Sequence, residues 1–176
     1  MSSGPGGAPQ DLFTAVAELP GVADAVAEAR AAVDGLRGHR VLRRYAEKVA
    51  AESALRGARA SAALEGADLP LDVVRRTVQA GGHLPADEDA VVQGALRVAA
   101  ETGGLKETWR RAPLQAMARL HSLAAAGLAS GDALGRPRPD PAVAARLTGL
   151  AGLLTAPSDA PAVVVAAVVH GELLAV

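Results

Sequence analysis

A serine and a glutamate four residues apart, Ser61 and Glu65 in the run SAALEG, are the pair whose types and spacing best suit a chemical task. On a helix, positions i and i+4 share a face, so a hydroxyl and a carboxylate stand together there. Gly66 follows at once, able to take the left-handed conformation that ends a helix. A carboxylate so placed has two uses. It can be satisfied locally, by Arg56, Arg59 or a backbone amide, or it can reach a guanidinium on another surface and form a strong bidentate pair. In the second case Glu65 is expected at or near the protein surface, because leaving it buried and unpaired costs several kcal/mol or forces protonation.

The remaining reactive groups suggest less. His39, His83, His121 and His170 form no HExxH pair and have no acidic partner at metal-ligand spacing, so each is expected to be structural or solvated, with no metal bound. Cysteine is absent. That excludes thiolate nucleophiles, zinc ribbons, iron–sulfur ligation and disulfides, and fits a reducing compartment. The glycines make neither GxGxxG nor GxxxxGK[ST], the usual phosphate cradles. Arg40, Arg44 and Lys48 recur every fourth residue and could follow a phosphate backbone, as could Arg43 beside them. The formal net charge is only −1, however, and no helix reads as a DNA-recognition element. A solvated basic face is therefore expected, and no nucleic-acid partner.

These side chains must be held by helices. Proline and glycine divide the chain into blocks, none alternating with the period of a half-exposed strand, so the fold class is all-α. Residues 1–10 read as a Gly/Pro/Ser tail and 11–176 as one helical domain. Asp11 to Leu19 is a short helix, halted by Pro20-Gly21. Val22, Val26, Ala29, Val33 and Leu36 make an apolar stripe on the next. The longest helix runs from about Arg40 to Leu64, with Val41, Tyr45, Val49 and Ala60 as its expected buried side. Pro70 to Gln79 follows, then a helix opening at PADED with Pro85 in its first turn and closing at Gly103-Gly104. Pro113 opens a helix with Leu114, Met117, Leu120 and Ala124 in line. The irregular segment Leu128 to Pro141 leads through an Asp140-Pro141 cap into Val143, Leu147, Leu150 and Leu154. Ser158 is expected to cap the last helix, with Val163 to Val169 buried in a central helix.

With Phe13, Tyr45 and Trp109 the only aromatics, the core must close through small residues at short helix spacing. Ala160 to Val176 is apolar for only about ten residues before His170, Gly171 and Glu172, short of the roughly 20 that span a bilayer. The N-terminus has neither the basic nor the apolar region of a signal peptide. No membrane association and a cytoplasmic location are expected. Lysine occurs only at Lys48 and Lys106 among many arginines, a balance that points to a GC-rich bacterial genome.

SAALEG resembles the inhibitory motif of the Fic (Fic/Doc, or Fido) family: a Ser or Thr, three residues, a Glu, then Gly or Asn. The wider run AESALRGARASAALEGADLPLDVV is similar to that family's N-terminal regulatory part. PLQAMARLHSLAAAGL is similar to its helix ending in Leu-His, here Leu120-His121, and PAVVVAAVVHGELLAV to the helix leading into its catalytic loop. Order and spacing agree over about residues 45–176. The resemblance implies a Fic-like helical bundle, with regulatory helices over 11–69 and a partial core over 70–176.

Complete members transfer AMP from ATP to protein hydroxyls with magnesium (AMPylation). In them the glutamate matching Glu65 pairs with an arginine of the catalytic loop and blocks productive ATP binding, while the serine matching Ser61 supports that helix. The loop motif, His-Pro-Phe-x-Asp/Glu-Gly-Asn-Gly-Arg, is expected to begin just after Val176 and does not occur in the chain. Neither His121 nor His170 stands before Pro-Phe, so neither replaces the catalytic histidine. The β-hairpin flap usual in the family is also missing, Leu128 to Pro141 being too irregular to supply one. The implied object is a Fic-like protein truncated before its catalytic loop. Without that loop it is expected to be catalytically inactive and to bind no cofactor, with Ser61, Glu65 and Gly66 as its regulatory motif. The alternative is a helical interaction or antitoxin-like module that supplies Glu65 in trans to a separate catalytic chain. A third reading is a nucleic-acid-associated bundle using Arg40, Arg43, Arg44 and Lys48.

Overall fold

The computed structural model describes residues 11–81 and 90–176. Among them the regular structure is helical, with no strand. The helices are α1 (Leu12–Ala17), α2 (Val22–Gly38), α3 (Arg40–Leu64), α4 (Leu71–Gln79), α5 (Ala90–Glu101), α6 (Lys106–Arg111), α7 (Pro113–Ala125), α8 (Pro141–Thr155) and α9 (Ala162–Leu174). The proposed opening of α5 at Pro85, and His83, lie outside the described residues.

Local chemistry sets most of the helix ends. The Asp11 carboxylate accepts from the Phe13 amide at 3.0 Å, and Asp140 accepts from the Ala142 amide at 2.8 Å with Pro141 in the first turn of α8. Each bond satisfies one of the amides that a helix start leaves without an intrahelical acceptor. His39, the single residue joining α2 to α3, caps α3 by accepting from the Val41 amide at 3.3 Å.

The centre of the fold is α5, packed between α3 and α7, with α4 closing over the end of α3. Small residues close it. Ala62, Val74 and Val92 form a buried cluster with Leu55, Leu69 and Leu96 packed round them. At Gly94, α5 meets α7 backbone to backbone: a Cβ added there would lie 3.0 Å from the carbonyl carbon of Ala124 and nearer still to its oxygen.

Several sequence expectations need correction. The buried side of α3 is Ala58 and Ala62, not Val41, Tyr45, Val49 and Ala60; Val41 is 41% and Tyr45 45% exposed. The backbone leaves helical geometry at Tyr45 (φ −131°, ψ 31°), and the part of α3 before Leu55 carries no buried residue. The α2 stripe likewise contains no fully buried residue. The Val163 to Val169 run is helical, but α9 is not central: it packs on α1, α2 and α8, and only Val164 and Val169 are buried. Ser158 does not cap α9, which starts after Pro161. Its hydroxyl accepts from the Ala160 amide at 3.1 Å and donates to Asp11 at 2.7 Å, tying the α8–α9 turn to the start of α1. Helix α6, which no spacing argument had marked, stacks on α7 and α8.

Candidate functional site

Ser61, Glu65 and Gly66 sit where α3 ends, and their arrangement follows from how that end is built. Gly66 has φ +89°. Its amide bonds to the Ala63 carbonyl at 3.1 Å and the Ala67 amide to the Ala62 carbonyl at 3.0 Å, the paired bonds of a Schellman cap. The hydrophobic contact that accompanies such a cap is present, since Ala67 packs against the cluster containing Ala62. The glycine of the motif therefore has a complete structural reason of its own.

About two turns earlier, Arg59 fastens the segment that leaves the helix. Its Nε donates to the Leu69 carbonyl at 2.9 Å and its Nη2 to the Asp68 carboxylate. Arg56 pairs with Glu52 at 2.6 Å, and Arg75 reaches the same carboxylate from α4, also at 2.6 Å. Both arginines that could have served Glu65 are thus engaged elsewhere. Glu65 is exposed at the cap position, Ser61 is exposed on the same face, and Leu64 beside them is 87% exposed. Among the described residues no cation pairs with Glu65. The result is a fixed helix end presenting a carboxylate and an aliphatic side chain to solvent.

The Glu52 bridge makes a prediction. Its carboxyl is held below the ordinary glutamate value, first by the Arg75 hydrogen bond and then by that of Arg56. With the folded pKa depressed, the stabilisation is fully present above the unfolded value, about 4.3, and is lost as pH falls through the folded one. Glu52→Gln is therefore expected to lower the melting temperature near neutrality, and to show a shallower loss of stability than wild type below about pH 4. Thermal melts across the acid range measure both. Parallel curves would remove the bridge from the account.

The structure places the other candidates apart from this end. His121 is held by the loop after α7: its Nδ1 accepts from the Gly135 amide at 2.9 Å. Gly135 has φ +74° and presses so closely on α7 that a Cβ would meet the Ser122 hydroxyl at 2.7 Å, so His121 anchors the irregular segment. His170 lies on the rim of an open apolar groove of about 650 Å³ between Trp109 of α6 and Val165, Val169 and Leu173 of α9. Glu172, two residues on, forms a two-pronged pair with Arg146 of α8. A second cleft, of about 370 Å³, is lined by Asp11, Glu18 and Asp159. Hydrogen bonds from Thr14 and then Ser158 hold Asp11 below its ordinary pKa. Among the described residues, no three His, Asp or Glu side chains gather to hold a metal ion, and no helix is long and apolar enough to cross a membrane.

Sequence reasoning marked Arg59 only as a local partner for Glu65, not for Asp68 and Leu69, and missed Arg97. Arg97 crosses from α5 to the end of α7, donating to the Leu123 carbonyl at 2.9 Å and the Ala126 carbonyl at 2.8 Å. No spacing signal exists for these bonds, because the acceptors, the Leu69 carbonyl and Asp68 carboxylate for Arg59 and two backbone carbonyls for Arg97, come within reach only when the chain folds back. Neither a protein-family model, nor a curated protein, nor a solved structure matches the chain.

Proposed function

We propose that the chain is the regulatory and scaffold portion of a Fic-like protein, in which Glu65 is an inhibitory carboxylate directed at an arginine that lies outside the described residues. The observation that carries this reading is the exposed Glu65 on a locked helix end, with Arg56 and Arg59 each engaged by another acceptor. A carboxylate held in this way loses little conformational freedom on meeting a guanidinium, and a bidentate pair then occupies the space a nucleotide phosphate needs. The chain contains no catalytic-loop motif. Among the described residues no three His, Asp or Glu side chains gather to hold a metal ion, and no AMP-transfer step is assigned to the chain.

A second reading is inhibition in trans. Helix α9, which the resemblance would lead into the catalytic loop, packs on α1, α2 and α8, whereas α3 packs on α2, α4 and α5. The chain then acts as a helical interaction module on a separate Fic-type adenylyltransferase.

The experiment adds the purified chain to a catalytically complete Fic enzyme lacking its own inhibitory glutamate and follows AMP incorporation from labelled ATP. Wild type is expected to suppress labelling, and Glu65→Gly to leave it at least about tenfold higher at equal concentration, as for loss of a charge-assisted pair. Equal suppression by both, or suppression by neither, would end the proposal.

A further inference from the structure

Along α2, Val22, Val26, Ala29, Val33 and Leu36 follow at intervals of four, three, four and three residues. That is the repeat of a coiled-coil seam, with Val26 and Val33 at a and Val22, Ala29 and Leu36 at d. The fold covers only one end of it. Val22, Val26 and Ala29 are half buried, while Val33 is 53% and Leu36 61% exposed. The e positions next to the uncovered part are Arg30 and Arg37, both exposed, and among the described residues neither forms an ion pair. The start of α3 carries the same sign: Arg40, Arg43, Arg44 and Lys48 are all exposed.

We propose that the open seam of α2 docks an acidic amphipathic helix of a partner protein, with apolar side chains seated on Val33 and Leu36 and carboxylates meeting Arg30 and Arg37. This surface is independent of Glu65. The pattern selects the occupant. A phosphate backbone would use the arginines but gains nothing from an aliphatic stripe set beside them. A lipid surface calls for bulkier apolar anchors than the Val, Ala and single Leu of this seam. A second copy of the chain is mismatched. Parallel pairing would set Arg30 and Arg37 against g positions occupied by Ala25 and Ala32, and antiparallel pairing would set arginine against arginine. Since e and g charges choose the partner of a coiled-coil seam, two arginines in register call for glutamates opposite.

The test titrates the full chain with two synthetic three-heptad peptides, both with leucine at a and d, one with glutamate and one with lysine at e and g. The glutamate peptide is expected to bind at least about tenfold more tightly, with affinity falling as salt rises. Leu36→Glu should weaken that binding at least about tenfold, and the double variant Arg30→Glu/Arg37→Glu should reverse the preference toward the lysine peptide. Because all three side chains are exposed, the melting temperature should stay at the wild-type value, which separates lost docking from lost folding. Absence of binding, equal binding of the two peptides, wild-type affinity in Leu36→Glu, or an unchanged preference in the double variant would each overturn the proposal. So would tighter binding of duplex DNA or phosphatidylserine vesicles than of the glutamate peptide, if Leu36→Glu leaves it unaltered.

Discussion

Replacing Gly94 by alanine is expected to destabilise the protein by about 3 kcal/mol, the upper part of the range for forcing a methyl group into a closed core. At this chain length that lowers the melting temperature by about 6–12 °C. Helix propensity argues the opposite, because alanine in a helix interior is favoured over glycine by about 1 kcal/mol. Packing decides the sign: the new Cβ would stand 3.0 Å from the Ala124 carbonyl carbon, and backbone in a packed helix cannot swing aside as a flexible side chain can. Gly57, also in a helix interior, has nothing within 4 Å of where its Cβ would go. Gly57→Ala is therefore expected to stabilise by about 0.5–1 kcal/mol. Two identical substitutions thus differ in sign, and thermal melts of the pair distinguish close approach from propensity. A rise in melting temperature for both would mean that α5 and α7 are not in backbone contact at Gly94.

The second large effect is expected at Arg97, which holds the same helix pair. Arg97→Met keeps an unbranched apolar stem but removes two charge-assisted hydrogen bonds to the carbonyls of Leu123 and Ala126. Those carbonyls lie at the end of α7, where the helix leaves its last acceptors without donors and carries partial negative charge. A loss of about 2–3 kcal/mol is expected, read as a lower urea midpoint with an unchanged slope. Arg97→Lys should recover only part of it, since a single ammonium lacks the fork that spans two carbonyls. Full recovery with lysine would reduce the role of Arg97 to its charge alone.

What was legible in the sequence, and what was not, divides along one physical line. Helix ends are written in short-range chemistry. Asp140-Pro141 opens α8 and Gly66 closes α3 where those residues stand, because a side-chain cap and a left-handed glycine act within a few residues of their own position. Which face of a helix is buried depends on what lies opposite, and here size misled. Val41 and Tyr45 are larger than alanine, yet they lie in the part of α3 that carries no buried residue, while the core uses Ala58 and Ala62. Alanine carries little hydrophobic signal, so a core closed by alanine and glycine hides in the pattern. The α9 run reads as buried on all sides because every residue is apolar, although Val163 is 45% exposed. Gly94 did leave a trace, a lone glycine within the helical run VVQGALRV, but its meaning appears only with Ala124 beside it. At the candidate site the i, i+4 relation of Ser61 and Glu65 and the stop at Gly66 were readable. The Arg59 clamp and the arrival of Arg75 at Glu52 were not, since both depend on how the chain folds back after the cap; the Arg56–Glu52 pair is a local i, i+4 contact that the spacing already allows.

The proposed inhibitory function rests on the claim that Glu65 is presented to an arginine of another surface. The most direct measurement is a calorimetric titration of the chain into a catalytically complete Fic domain, comparing wild type, Glu65→Gln and Glu65→Gly, with thermal melts of each. Glu65 is exposed and unpaired among the described residues, so the melting temperatures should be nearly equal and any change in affinity belongs to the contact. Glutamine preserves shape but not charge. Both variants are expected to bind about tenfold or more weakly than wild type, corresponding to at least about 1.4 kcal/mol, with the wild-type advantage shrinking as salt rises. Equal affinity for all three proteins at every salt concentration would contradict the account and leave Glu65 an ordinary surface carboxylate beside a well-made helix cap.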